Sequence, residues 1–144
     1  MRRLAIFFGL TRSQRGTFLR ALATLPMVAM GLRVAGLRRI QALLADSAPC
    51  AQGEAEDIAR LVMAAARHGP YRASCLPTAL TLQWLLARHG IDSDLRLGVR
   101  KAGERIEAHA WLERGGKPLN ACADCASDFT SFDAVIAPPA KASR

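Results

Sequence analysis

The spacing of apolar residues changes once along the chain, near residue 90, and the change separates a helical part from a strand part. Between 54 and 67, Ile58, Leu61, Val62 and Ala65 recur at three- and four-residue intervals, which is one face of a helix. Glu54, Glu56 and Asp57 complement its positive end, and His68-Gly69-Pro70 stops it. A second helix is predicted from residue 75. Ser74 is its N-cap, Cys75 falls in its first turn, and Pro77 is tolerated there because first-turn amides have no intrahelical partner. Leu76, Ala79, Leu80, Leu82, Leu85 and Leu86 bury it, and Arg88-His89-Gly90 closes it with a cation and a C′ glycine. After Gly90 the period falls from 3.6 to 2. In "SDLRLGVRK" Leu95, Leu97 and Val99 alternate with Asp94, Arg96, Gly98 and Arg100, a half-buried strand. "RIEAHAWLE" (105–113) is a second strand, and "RGGK" turns it into a third, "PLNA".

The amino-terminal third also predicts helix, over 17–45, interrupted near Pro26 and by Gly31 and Gly36. "ADSAPCAQGE" (45–54) has the composition of a linker, and the tail "APPAKASR" should fray. Helices followed by a short antiparallel sheet make an α+β chain of one domain, with residues 1–45 as a basic helical segment and 54–136 as the core.

Charge sharpens that division. The formal net charge is +8. Residues 1–45 hold eight arginines (2, 3, 12, 15, 20, 33, 38 and 39) and no acid, whereas 46–144 balance twelve Lys+Arg against twelve Asp+Glu. The basicity is therefore one segment and not a domain-wide stripe, which argues against nucleic acid as a partner. "LAIFFGL" follows "MRR" as a signal h-region follows its n-region, but "TRSQRG" supplies no small-x-small cleavage pattern. The longest uncharged run in this segment, 21–32, is shorter than the ~20 residues that cross a bilayer. Arginine-flanked apolar helices of this kind pack on a main domain, dock an acidic partner, or lie on a membrane surface. Four cysteines (50, 75, 122 and 125) without a convincing signal do not read as a disulfide framework, and a cytoplasmic location fits them.

The candidate chemistry starts at Cys75. A thiol in the first turn of a helix faces unpaired amides and the positive end of the macrodipole, both of which favour thiolate. Free cysteine is also a common inert core residue, so position alone leaves both roles open. His109 shares a strand face with Glu107, Trp111 and Glu113, while Ile106, Ala108, Ala110 and Leu112 take the other. An imidazole is what a thiol needs to lose its proton and later to protonate a leaving amine. His68 and His89 lie at helix ends, where capping explains them. A third group should orient the imidazole. With a two-residue turn at Gly115-Gly116, Asn120 falls opposite Trp111 and shares the histidine's face; a three-residue turn would instead put Ala121 opposite His109. Asp124, just beyond the strand, is the second candidate. A rival use of the same residues is zinc: Cys122-Ala-Asp-Cys125 is a C-x-x-C that His109 and Cys50 or Cys75 would complete. A lone C-x-x-C is a weak signal, and no metal or other cofactor is expected.

"SCLPTALTLQWLLARHGIDSDLRLGVRK" followed by "EAHAWLERGGKPLN" resembles the leader peptidases of bacterial lasso-peptide biosynthesis. These are the stand-alone peptidase form of the lasso B protein, similar to the C-terminal half of the microcin-processing enzyme. The resemblance is specific over roughly 72–120 and looser over 1–45. It implies a transglutaminase-like, papain-related fold for 54–136, with Cys75 as nucleophile and His109 as base. It also implies an acidic third residue about twelve positions after the histidine. Here Ala121 stands at that position, so Asn120 is the first choice and Asp124 the second. The partners it implies are a precursor peptide cut at its leader–core junction, a separate leader-recognition protein and an ATP-dependent lasso cyclase. The location it implies is cytoplasmic, with the inner membrane surface within reach of residues 1–45. Two further readings stay open on the same residues: acyl transfer in place of hydrolysis, and a non-enzymatic partner or membrane-surface protein led by the arginine segment.

Overall fold

In the computed structural model, which describes residues 9–45, 54–120 and 129–131, the first helix begins earlier than the apolar pattern predicts. α1 spans Arg12–Ala35 because Thr11 and Gln14 form a reciprocal capping box: each side-chain oxygen accepts from the other's backbone N–H, at 3.3 and 3.0 Å. The helix also runs unbroken through Pro26 and Gly31, where interruptions were expected. A proline inside a helix costs roughly 3 kcal/mol. Ala21, Leu25 and Val28 on the inner side are fully buried, and side chains of this kind contribute about 1.5–3 kcal/mol each for the two larger ones. Burial outweighs the proline. Gly31 has a packing role: a Cβ there would lie 2.5 Å from Cδ1 of Ile40. Gly36, at φ +77°, then turns the chain into α2 (Leu37–Ala45), which folds back on α1.

α3 (Ala55–His68) and α4 (Cys75–Arg88) follow the predicted spans to within a residue. α4 ends as its sequence requires. The Ile91 N–H donates to the Leu86 carbonyl and the Gly90 N–H to that of Ala87, a Schellman closure with Gly90 at φ +72°. α1, α3 and α4 pack on one another around a single cluster that includes Leu25, Val62, Leu80, Leu82, Leu86 and, from the sheet, Leu95, Ala110 and Leu112. The basic segment thus contributes to the same core as the rest.

Among the described residues the sheet has four antiparallel strands in the order β3-β2-β1-β4. β1 is Asp94–Ala102, β2 is Arg105–Arg114, β3 is Lys117–Pro118 and β4 is Thr130–Ser131. Arg114 pairs with Lys117, and Gly115 and Gly116 both have positive φ, so the hairpin is the expected two-residue turn of the I′ kind. β3 is shorter than "PLNA" suggests. β4, on the outer side of β1, is an addition that two residues are too few to announce by period. The result is an α+β architecture, with α4 lying on one face of the β1–β2 hairpin.

Candidate active site

Cys75 is the first residue of α4. Ser74 before it is extended, and its carbonyl accepts both the backbone N–H (3.2 Å) and the hydroxyl (2.8 Å) of Thr78. The Ser74 hydroxyl makes no cap. The amides of Cys75 and Leu76 therefore open the helix without an intrahelical partner, and Pro77 has none to offer. The thiol is free and half-buried, packed against the helix-side core. Its position in the first turn is the one predicted, and the residue is partly exposed there.

His109 sits opposite Gly98 in the β1–β2 ladder. Its ring stacks on Trp111 (centroids 6.0 Å, 19°) and meets Phe129 at 5.2 Å. Phe129 in turn lies under the Arg100 guanidinium, 4.8 Å from its ring centre, and Arg100 Nε donates to Glu107 Oε2 at 2.8 Å. Arg100, Glu107, Ala108, His109 and Phe129 line a shallow open concavity of about 420 Å³. Trp111 is 2 % exposed, and its Nε1–H donates to Glu113 Oε1, whose other oxygen accepts from Arg96. The indole fits because position 98 is glycine: a Cβ there would stand 2.8 Å from Cη2 of Trp111 and 3.0 Å from Cβ of Phe129. Gly98, Phe129 and Arg100 are site residues that the sequence reading missed. A glycine at position 98 inside the Leu95–Leu97–Val99 strand was the available signal.

The pKa of His109 lies below its usual 6.5, first because burial penalises the imidazolium and second because Arg100 repels it. The ring is therefore neutral at pH 7, the form a general base requires. Because the unfolded chain protonates this histidine more readily than the folded one, native stability should fall as pH drops through 6.5 and below. Urea midpoints measured across that range should show a steeper loss for the wild type than for His109→Gln. Equal slopes would contradict the assignment.

The alternation of β2 decides what His109 can touch. Leu95 and Leu97 pair with Leu112 and Ala110, and these four pack in or against the core cluster that α4 shares. His109 and Trp111 point to the other face. Cys75 packs against the core cluster, and among the described residues no hydrogen bond joins its thiol to the His109 imidazole.

Asn120 also has a different partner. Its Oδ1 accepts the backbone N–H of Leu112 at 2.7 Å, while the Leu119 N–H donates to the Leu112 carbonyl at 2.8 Å. The side chain replaces a strand partner where β3 has ended. Asn120→Ala should destabilise by about 1–3 kcal/mol through the orphaned N–H, and Asn120→Asp should retain most of that bond, both read from urea unfolding. Asp124 lies outside the described residues, as do Cys50, Cys122 and Cys125 of the zinc alternative. Among the described residues no three of His, Cys, Asp and Glu gather in a way that would hold a metal ion.

A family model described as the transglutaminase-like superfamily matches residues 18–134, from within α1 to beyond β4. The chain belongs to the transglutaminase-like superfamily. That superfamily includes cysteine peptidases, and the matched span contains Cys75, His109, Asn120 and Asp124. Comparison with curated proteins and with solved structures gives no match. In this transglutaminase-like chain the helix that opens with cysteine and the strand that carries histidine lie side by side, α4 against β2.

Proposed function

We propose that this transglutaminase-like protein is a cysteine peptidase that removes the leader from a ribosomally made lasso-peptide precursor before macrolactam closure. The observation that carries the reading is Cys75 itself: a half-exposed thiol on the first turn of a buried helix whose leading amides are uncapped. The resemblance over 72–120 supports the substrate class. His109 takes the thiol proton as the Cys75 sulfur attacks the carbonyl at the leader–core junction, and the uncapped amides receive the developing oxyanion. The C–N bond breaks, His109 delivers a proton to the departing core amine, and the leader remains as a thioester on Sγ. Water, deprotonated by the same imidazole, attacks the thioester and releases the leader carboxylate and the thiol. A separate recognition protein presents the leader, an ATP-dependent cyclase consumes the core, and all of this takes place in the cytoplasm.

The reaction requires the imidazole on the α4 side of the sheet. The β1–β2 ladder is regular through His109 and Ala110, so the reaction calls for a local rearrangement of β2 when the precursor binds. Arg105 to Ala108 are exposed, so they hold no core packing to lose.

The lack of a hydrogen bond between thiol and imidazole among the described residues favours a second reading, a member that keeps the fold but binds its peptide without cutting it. Incubating the precursor and its recognition protein with this chain, with mass spectrometry of the products, separates the two. A single cut at the leader–core junction supports the peptidase. Intact precursor overturns the peptidase and leaves the binding protein.

A further inference from the structure

A helix packed on a protein core is ordinarily polar on its outer side. α1 is not. Leu19 (51 % exposed), Met27 (71 %), Met30 (61 %) and Val34 (81 %) stand in solvent together with Ala23 and Pro26. Positions 19, 23, 26, 27, 30 and 34 are separated by helical intervals and form one stripe along the length of the helix. At about 100° per residue, Arg20 flanks this stripe on one side and Arg33 on the other, and Arg12 stands at its start. All three are exposed, as are Arg38 and Arg39 on α2 and the apolar Leu43 near them. Residues 1–45 contain no acid to neutralise these cations.

We propose that the outer face of α1 is a docking surface for an anionic lipid bilayer. The stripe enters the boundary between headgroups and acyl chains, and the flanking arginines reach the lipid phosphates. Charge complementarity selects this occupant. The cytoplasmic leaflet is negatively charged, and a border made of arginine alone matches it without needing a partner of specific shape. The stripe is the ridge of a single helix and not a groove, which suits a fluid surface better than a fitted protein. α1 has the length and composition of a membrane-crossing helix. Ala21, Leu25 and Val28 on its inner side are nevertheless locked between α3 and α4, so it lies on the bilayer and does not cross it.

Flotation of the full chain with vesicles tests this without any cleavage readout, so its failure says nothing against the peptidase. With equal parts of phosphatidylcholine and phosphatidylglycerol the protein should float, and it should stay behind with phosphatidylcholine alone or in high salt. Replacing Arg20, Arg33 and Arg38 by glutamine should lower partitioning by about fivefold per charge. Met27→Ser, Met30→Ser and Val34→Ser together should lower it by at least about tenfold, with an unchanged helical circular dichroism signal because all three are exposed. Absence of flotation, equal flotation on neutral vesicles, or wild-type behaviour of both variants would each overturn the proposal. So would a wild-type dimer that ignores vesicles and is lost in the serine variant, since it would make a second copy the occupant.

Discussion

Cys75→Ala is expected to abolish leader removal, with a loss of at least about a thousandfold in kcat/KM and an unchanged unfolding midpoint. The two halves of this expectation rest on different observations. Losing the nucleophile removes the covalent pathway altogether, and for residues that act as a unit a single deletion costs nearly as much as losing all of them. The fold should be indifferent because Cys75 is half-buried at a helix start, where the Ser74 carbonyl and Thr78 hold the first turn through bonds that do not involve the thiol. Cys75→Ser should be almost as inactive, since a hydroxyl is far less acidic than a thiol and its neighbouring amides cannot make up the difference. A Cys75→Ala protein that cuts at the wild-type rate, in a discontinuous mass-spectrometric assay, would remove Cys75 from the chemistry.

Trp111→Ala should give the largest loss of stability, about 3–5 kcal/mol, measured as a drop in urea midpoint at constant m. Against a typical total of about 5–15 kcal/mol that is a large part of what holds the domain together. The indole is nearly inaccessible, presses on the backbone at Gly98, and is surrounded by His109 and Phe129. Its removal leaves a cavity that Gly98, lacking a side chain, cannot fill. The Glu113 carboxylate would also lose a donor, keeping Arg96. Trp111→Phe should cost less, because most of the ring volume survives and only the N–H bond is lost. A change below about 1 kcal/mol for the alanine variant would mean that the indole is not packed as described.

Much of the fold was legible because it was written in periods. The 3.6-residue spacing in α3 and α4 and the alternation in β1 and β2 set which faces are buried, and the Gly115-Gly116 turn fixed the register. The misreadings have physical causes. Pro26 and Gly31 are breaks by local propensity, and tertiary burial of Ala21, Leu25 and Val28 carries the helix across them. The Thr11–Gln14 capping box was present in the sequence and marks where α1 starts. β4 has no period to read at two residues, and Phe129 reaches His109 from twenty positions away. Asn120 makes a side-chain bond to a backbone amide, which spacing cannot reveal.

The site itself was half legible. Ser74 and Pro77 placed Cys75 correctly at the opening of α4. For His109, alternation and family resemblance pointed in different directions. Ala110 and Leu112 are the apolar partners of α4, so the odd-numbered residues of β2 turn away from it, and in the structure this simple period prevails. The proposed catalysis by the pair would need His109 to leave that face, a local departure from strand geometry that no hydrophobic pattern encodes.

The most direct test of Cys75 as the nucleophile is to catch the covalent intermediate. Wild-type protein would be mixed with precursor and recognition protein, quenched in acid within the first turnover, digested and sequenced by mass spectrometry. The leader is expected joined through its new terminal carbonyl to the peptide that contains Cys75, with nothing of the kind in Cys75→Ala. Leader found on Cys50, Cys122 or Cys125 instead, or cleavage that continues undiminished in Cys75→Ala, would contradict that role for Cys75.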